Sequence, residues 1–435
     1  MNRPESYHAN TVWVFILTLV VFTVVSVPAF CYEIDTTRVR EKPEENITFG
    51  EAVLAAPSFI LNLPFWVLKN VSDFTVNEIV YSKPIQALFA LKLRPIWGFY
   101  PTGGYNSNAG VKAGIVYRVK DLLSEEEDFK VKASYSTHDY QTYSLRYKIM
   151  PQNSIFNEVH FNFSYRQKPR ESFYGIGNRT SDDNEVAFNL ENGFMGFGWN
   201  HEISSQFSTG VDFSYRILNI YDGQDPSLTG SLDSIQAKFD LSEDELANAR
   251  VLTVGMNLKY DWRDHPGQTT SGGYHALELS YNRGRGQLQD LEYFLASVSL
   301  YQFIHIYRQR VLVLNFRTET IGKTDGSPDL PFYLRPALGG EESLHGYKEH
   351  RFIDNTTMLA AVEYRFPLLQ GVDGLLFFEE GRVFDDFSKD FDLKNWHYST
   401  GIGIRLWDQE GLRLNGYAAF SKESPQFYVH LSETL

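Results

Sequence analysis

EVHFNFSYRQ, residues 158–167, alternates without a break. Val159, Phe161, Phe163 and Tyr165 fall on one face, and Glu158, His160, Asn162, Ser164 and Arg166 on the other. A period of two marks an extended strand with one apolar and one polar side. VLTVGMNLKYDWRD, residues 251–264, repeats the split, with Leu252, Val254, Met256, Leu258, Tyr260 and Trp262 opposing Thr253, Gly255, Asn257, Lys259, Asp261 and Arg263. FSTGVDFSYRI, residues 207–217, does so again, with Phe207, Val211, Phe213 and Tyr215 opposing Ser208, Asp212, Ser214 and Arg216.

Alternation alone fits a soluble sandwich or a membrane barrel, because each has one buried and one wetter face. Length separates them. Soluble strands run about 5 to 6 residues, whereas a tilted strand needs about 9 to 11 to cross a bilayer, and these runs reach that length. Aromatics at 15% of the chain, 26 Tyr and 33 Phe among them, suit the interfacial girdles of such a barrel. The expected fold is therefore all-β, a 16-stranded antiparallel transmembrane barrel. Its strands are expected near 93–103, 109–120, 128–137, 139–149, 155–168, 184–201, 204–219, 251–264, 273–286, 291–306, 309–322, 354–366, 373–384, 396–407, 411–421 and 426–434. With the N-terminus in the periplasm, parity puts the long gaps 169–183, 220–250, 323–353 and 385–395 outside, and short turns such as 202–203, 307–308 and 408–410 inside.

Residues 1–31 carry an apolar run from Val12 to Val27 and read as a secretory signal peptide, with a retained anchor helix as the alternative. Cys31 is the only cysteine, and Phe30 before it does not suit a lipidation site, so the mature chain is expected to lack cysteine and any disulfide. Residues 32–92 are expected to form a periplasmic lead with short helices broken at Pro57 and Pro64, available as a plug or a docking arm. The barrel proper spans 93–435. A formal charge of -14 excludes a nucleic-acid groove, which needs Lys and Arg against phosphate.

The chemistry-bearing residues cluster in EESLHGYKEHRF, residues 341–352. A metal site built on His345 and His350 lacks a third ligand. A hydrolase built on His201 and Ser204 lacks an orienting acid and falls at a short turn. Gly175-Ile176-Gly177 and Gly401-Ile402-Gly403 do not open helices in a crossover unit, so they are read as glycines for close packing instead of phosphate loops. Asp222, Asp225, Asp233, Asp240, Glu243, Asp244 and Glu245 read as a solvated charge run. The expectation is no enzyme, no metal and no cofactor.

LGGEESLHGYKEHRFIDNTTMLAAVEYRFPL, residues 338–368, resembles the signature of the outer-membrane barrel-assembly superfamily, also called the bacterial surface antigen family. YDWRDHPGQTTSGGYHALELSY (260–281), LLFFEEGRVF (375–384), STGIGIRL (399–406) and ESFYGIGNRT (171–180) resemble further elements of that family in its order. They supply the strand motifs Asp261, Arg263, Asp264, Gly401, Gly403 and Arg405. The resemblance covers roughly residues 95–435.

The resemblance implies that the long loop folds back into the lumen and that its tip, Leu344, His345, Gly346 and Tyr347, latches onto Glu379 and Gly381. His345 stands where the family has Arg and Glu379 where it has Asp, so the bidentate guanidinium pair is lost. His345, Arg351 and Lys348 are the candidate cations. Phe427, Tyr428, Val429 and Leu431 resemble the family's C-terminal assembly signal, with Leu435 in place of a terminal aromatic.

The implied function is assisting insertion or passage of proteins or lipids through a lateral seam, joining 93–103 with 426–434, or through the lumen. Residues 32–92 leave no room for a periplasmic POTRA repeat, so a separate periplasmic partner is expected, for a monomeric barrel among outer-membrane lipid and lipopolysaccharide. The competing readings are a passive or plugged pore and a purely structural surface antigen.

Overall fold

A computed structural model describes residues 97–431, apart from 124–125, 152–156, 226–227, 229, 370–371, 393 and 409–410. The expected signal peptide and the lead with its helices lie outside these residues. Sixteen antiparallel strands close into a barrel. They are β1 (Trp97–Asn106), β2 (Gly110–Lys120), β3 (Glu127–Ser136), β4 (Gln141–Ile149), β5 (Glu158–Phe173), β6 (Val186–Glu202), β7 (Phe207–Asp222), β8 (Ala249–Asp261), β9 (Gly272–Arg285), β10 (Glu292–Tyr307) and β11 (Arg310–Lys323), followed by β14 (Thr356–Leu369), β15 (Val372–Phe384), β16 (His397–Asp408), β17 (Gly411–Phe420) and β18 (Gln426–Leu431). Two short strands, β12 (Ala337–Leu338) and β13 (Phe352–Ile353), pair with each other inside the β11–β14 connection.

Each expected run has its strand, and the deviations have local causes. β5 runs to Phe173 instead of ending at 168, because the register shift between Lys168 and Glu171 takes up Pro169 as a bulge and pairing resumes at Glu171↔Phe188. β1 continues past 103 through Gly104, where an added Cβ would lie 2.2 Å from the Val429 carbonyl oxygen. The glycines that look like a strand end are what lets this strand approach its neighbour.

The alternation reports the two faces of the wall. Phe161, Phe163, Phe197, Phe213, Val254 and Met256 point outward and stay exposed, as a lipid-facing surface requires. The polar face is laced by its own charges: Lys148 Nζ lies 2.6 Å from Glu158, and His160 Nε2 lies 2.9 Å from Asp212 on β7.

At the end where the long connections gather, they fold together. Phe332 packs at 4.1 Å centroid distance on Phe173 and at 5.0 Å on Phe188. Ile235, Leu288, Leu291 and Leu330 complete this buried cluster. Ile235 comes from a helix the sequence reading did not foresee, α1 (Leu232–Phe239), capped by Ser231, whose Oγ accepts the Ser234 amide at 3.2 Å. The acidic run around it is therefore partly ordered. Gly175 and Gly177 sit beyond the end of β5 at φ +100 and +115, in loop conformations that disfavour a side chain.

Phe332→Ala removes the ring on which this cap centres, at a cost of about 3–5 kcal/mol. The cap is expected to become protease-sensitive while the barrel keeps its heat-modifiable migration on gels; loss of barrel migration as well would show that the cap and wall unfold together.

Candidate functional site: the inward loop and the closing strands

Residues 339–350 form a compact double turn. Tyr347 N–H donates to Leu344 O at 2.9 Å, and Gly340 N–H to Tyr347 O at 3.0 Å. Gly339 and Gly340 take φ +111 and +97, and Leu344 takes +44 without being glycine. A left-handed leucine costs roughly 1–2 kcal/mol. Full burial of Leu344 against Leu338, Tyr347, Phe352, Leu359 and Val383 offsets it. Gly381 on β15 makes the seat, since a Cβ there would come within 3.0 Å of Leu344 Cδ1.

The tip lies against the inner wall of β15 to β18. Glu379, with a side chain 5% exposed, accepts the His345 amide at 2.8 Å on one oxygen and His345 Nδ1–H at 2.7 Å on the other. A carboxylate only accepts, which fixes the proton on Nδ1. Ser399 Oγ donates to the same carboxylate at 3.1 Å and accepts the Gly346 amide at 2.9 Å. Ser421 Oγ donates to Gly346 O at 2.7 Å, and Tyr428 OH to His345 O at 3.0 Å. Gly346 has no room for a side chain, as its Cβ would stand 2.8 Å from the Phe420 carbonyl.

The other two candidate cations go elsewhere. Lys348 Nζ lies 2.8 Å from both oxygens of Glu185. Arg351, 1% exposed, donates Nε to Glu423 at 3.0 and 3.1 Å and its terminal nitrogens to Thr180 at 2.8 Å, while its guanidinium stacks over Tyr174 and Phe352. His350 faces Glu171 at 3.2 Å, so the two loop histidines point at different carboxylates and share no ligand position. Burial disfavours charge on both imidazoles, yet Glu379 beside His345 and Glu171 beside His350 hold each above its ordinary value.

Next to this loop the barrel closes. β1 meets β18 at Gly104↔His430, Tyr105↔Val429 and Asn106↔Tyr428, three residue pairs among those described, whereas β1 meets β2 at ten. Beyond them Ser107 Oγ accepts the Phe427 amide at 3.0 Å.

A closed barrel of sixteen strands with a glycine-tipped loop docked on the inner face of its last four matches a known architecture. Residues 122–409 match the Omp85 superfamily domain. The chain belongs to the Omp85 superfamily. Among solved structures this Omp85 barrel is similar to BamA from Haemophilus ducreyi lacking POTRA domains 1–3, at 14% identity over 78% of this chain and 70% of that one, with a TM-score of 0.57. It is similar to CdiB from Escherichia coli at 14% identity, over 78% of this chain and 63% of that one, with a TM-score of 0.50. It thus spans less than two thirds of the CdiB chain. No curated protein sequence matches it.

The remaining motif residues of the Omp85 barrel separate into two groups. Gly401 belongs with the loop site, because its Cβ would meet the Phe377 ring at 2.3 Å and Phe377 flanks His345 at 5.4 Å. Gly403 leaves room for the Gly416 carbonyl and the Tyr417 ring, and Arg405 is register partner to Asp373 and Asn415 in the inner wall. Asp261, Arg263 and Asp264 sit at the opposite end of the barrel: Arg263 grips Asp261 with two bonds at 2.9 and 2.7 Å, and Asp264 caps the turn to Thr270. Ser204 Oγ accepts the Phe207 amide at 3.1 Å, a turn cap. Of the C-terminal residues, Phe427 and Val429 point outward, Tyr428 points inward onto the loop, and Leu431 ends β18. Ser399, Ser421, Glu185, Glu423 and Glu341 were not singled out from sequence.

Glu379→Ala leaves the His345 and Ser399 donors without an acceptor in a buried place, and is expected to cost about 3–5 kcal/mol of loop docking. The raised His345 value stabilises docking fully below the unfolded value of about 6.5, and the gain is lost as pH rises through the folded value. Protection of the 344–347 amides, taken relative to their intrinsic base-catalysed rate, should therefore be greater near pH 6 than in alkali, and His345→Gln should flatten this protection profile except for the share due to His350. A profile unchanged by His345→Gln would place the titration elsewhere.

Proposed function

We propose that this chain works in the bacterial outer membrane, assisting the insertion or passage of protein or lipid clients by opening between β1 and β18, with a separate periplasmic partner delivering the client. The observation that carries the reading is that, among the described residues, β1 pairs with β18 at three positions and with β2 at ten. An edge strand presents unpaired N–H and C=O groups that have nothing to bond in hydrocarbon. A weakly paired closure opens at low cost and offers these groups to a client strand, which pairs with them before leaving sideways into lipid. The mechanism is exchange of backbone hydrogen bonds, with no covalent step. The Glu379 cluster latches the loop to the strands beside this opening, so the wall next to a moving edge stays rigid. Family membership and likeness to the BamA and CdiB barrels support an assembly or translocation role.

The register supplies the test. Tyr105 and Val429 face each other across the closure, and Cys31 is the only native cysteine. A Tyr105→Cys/Val429→Cys chain in lipid vesicles, given a denatured outer-membrane barrel as client, is expected to lose client folding when oxidised and regain it when reduced. Equal client folding in both states overturns the seam route, and steady conductance without client folding favours a passive pore.

A further inference from the structure

The long loop touches the barrel on both sides of its closure through one carboxylate. Asn106 Nδ2, at the end of β1, donates to Glu341 Oε2 at 3.2 Å. His430 Nε2, on β18, lies 3.2 Å from Glu341 Oε1, a close approach without the alignment of a hydrogen bond. Both belong to the three closing rungs, Asn106 paired with Tyr428 and His430 with Gly104. Asn106 is itself fixed, since its Oδ1 accepts the Ala109 amide at 2.6 Å. On the loop side the adjoining carbonyl of Glu342 accepts from Arg317 on β11, and Tyr428 OH reaches the carbonyls of both His345 and Tyr347.

We infer that Glu341 is a clip that holds β1 to β18 from inside the barrel, so that docking of the loop and closure of the seam are coupled. This rests on the proposed seam. The side chains are partly exposed, 36% for Glu341 and 28% for His430, so what Glu341 contributes is modest. A modest contact suffices here because, among the described residues, it stands beside only three rungs of the closure. Glu341 is a positioning residue: it touches no client backbone, and acts by setting how often the two edge strands separate. By reciprocity, a client strand that parts Asn106 from His430 weakens the hold of the loop.

The test is hydrogen exchange of the full chain in lipid nanodiscs. Glu341→Gln is expected to speed exchange at residues 104–106 and 427–430 by about two- to five-fold, the worth of one partly exposed polar contact, with residues 344–347 still protected. Asn106→Ala and His430→Gln should each give part of the effect, and His430→Gln should add less in the Glu341→Gln background than alone. Unchanged seam exchange in Glu341→Gln with the tip protected overturns the clip. If Glu341→Gln also frees the tip, the wall-side variants decide: faster seam exchange supports the clip and unchanged exchange overturns it. Client folding is read separately, so faster seam exchange without any change in client folding would keep the clip and sink the seam route.

Discussion

A peptide group in hydrocarbon has no water to bond, and every unpaired N–H or C=O there costs several kcal/mol. The rest of this structure depends on that constraint. It forces each strand to have two neighbours and forces the ladder to close, so the edge where the first and last strands meet has to be paired as well. Everything unusual is gathered near it. Among the described residues β1 and β18 meet at three rungs, Gly104 brings them close, and the loop that could have lain outside is folded onto β15 to β18.

Two kinds of charge hold that loop. Lys348 with Glu185 and Arg351 with Glu423 pair an ammonium and a guanidinium with carboxylates. His345 with Glu379 and His350 with Glu171 depend on protonation. The first pair type ties the loop to the connections at one end of the barrel, and the second ties it to the wall. Substituting histidine for a guanidinium at the tip therefore does not leave Glu379 unpaired. It replaces a fixed bond by an adjustable one, and lets the carboxylate take a backbone amide and Ser399 as additional donors.

The strands were legible because a two-residue period is written locally: Phe161 and Phe163 face out and His160 and Asn162 face in whatever the rest of the chain does. Pro169 and the Gly103-Gly104 pair misled at strand ends because their cost is met by partners elsewhere, a bulge against β6 and the backbone of β18. His345, Gly346 and Glu379 were readable by resemblance. Their neighbours were not, since Glu423 and Thr180 lie 72 and 171 residues from Arg351 and nothing in one sequence couples them. The helix α1 hid within an acidic run because a single buried Ile235 decides it.

Arg351 sets an order in time. Its guanidinium cannot shed its proton, so it tolerates full burial only once Thr180 and Glu423 are already in place around it. Thr180 hangs from the β5–β6 connection and Glu423 from the β17–β18 connection, partners far apart along the chain and slow to find. Burial of Arg351 therefore ties the docking of the loop to two connections on different parts of the barrel, so that a docked loop reports a finished wall.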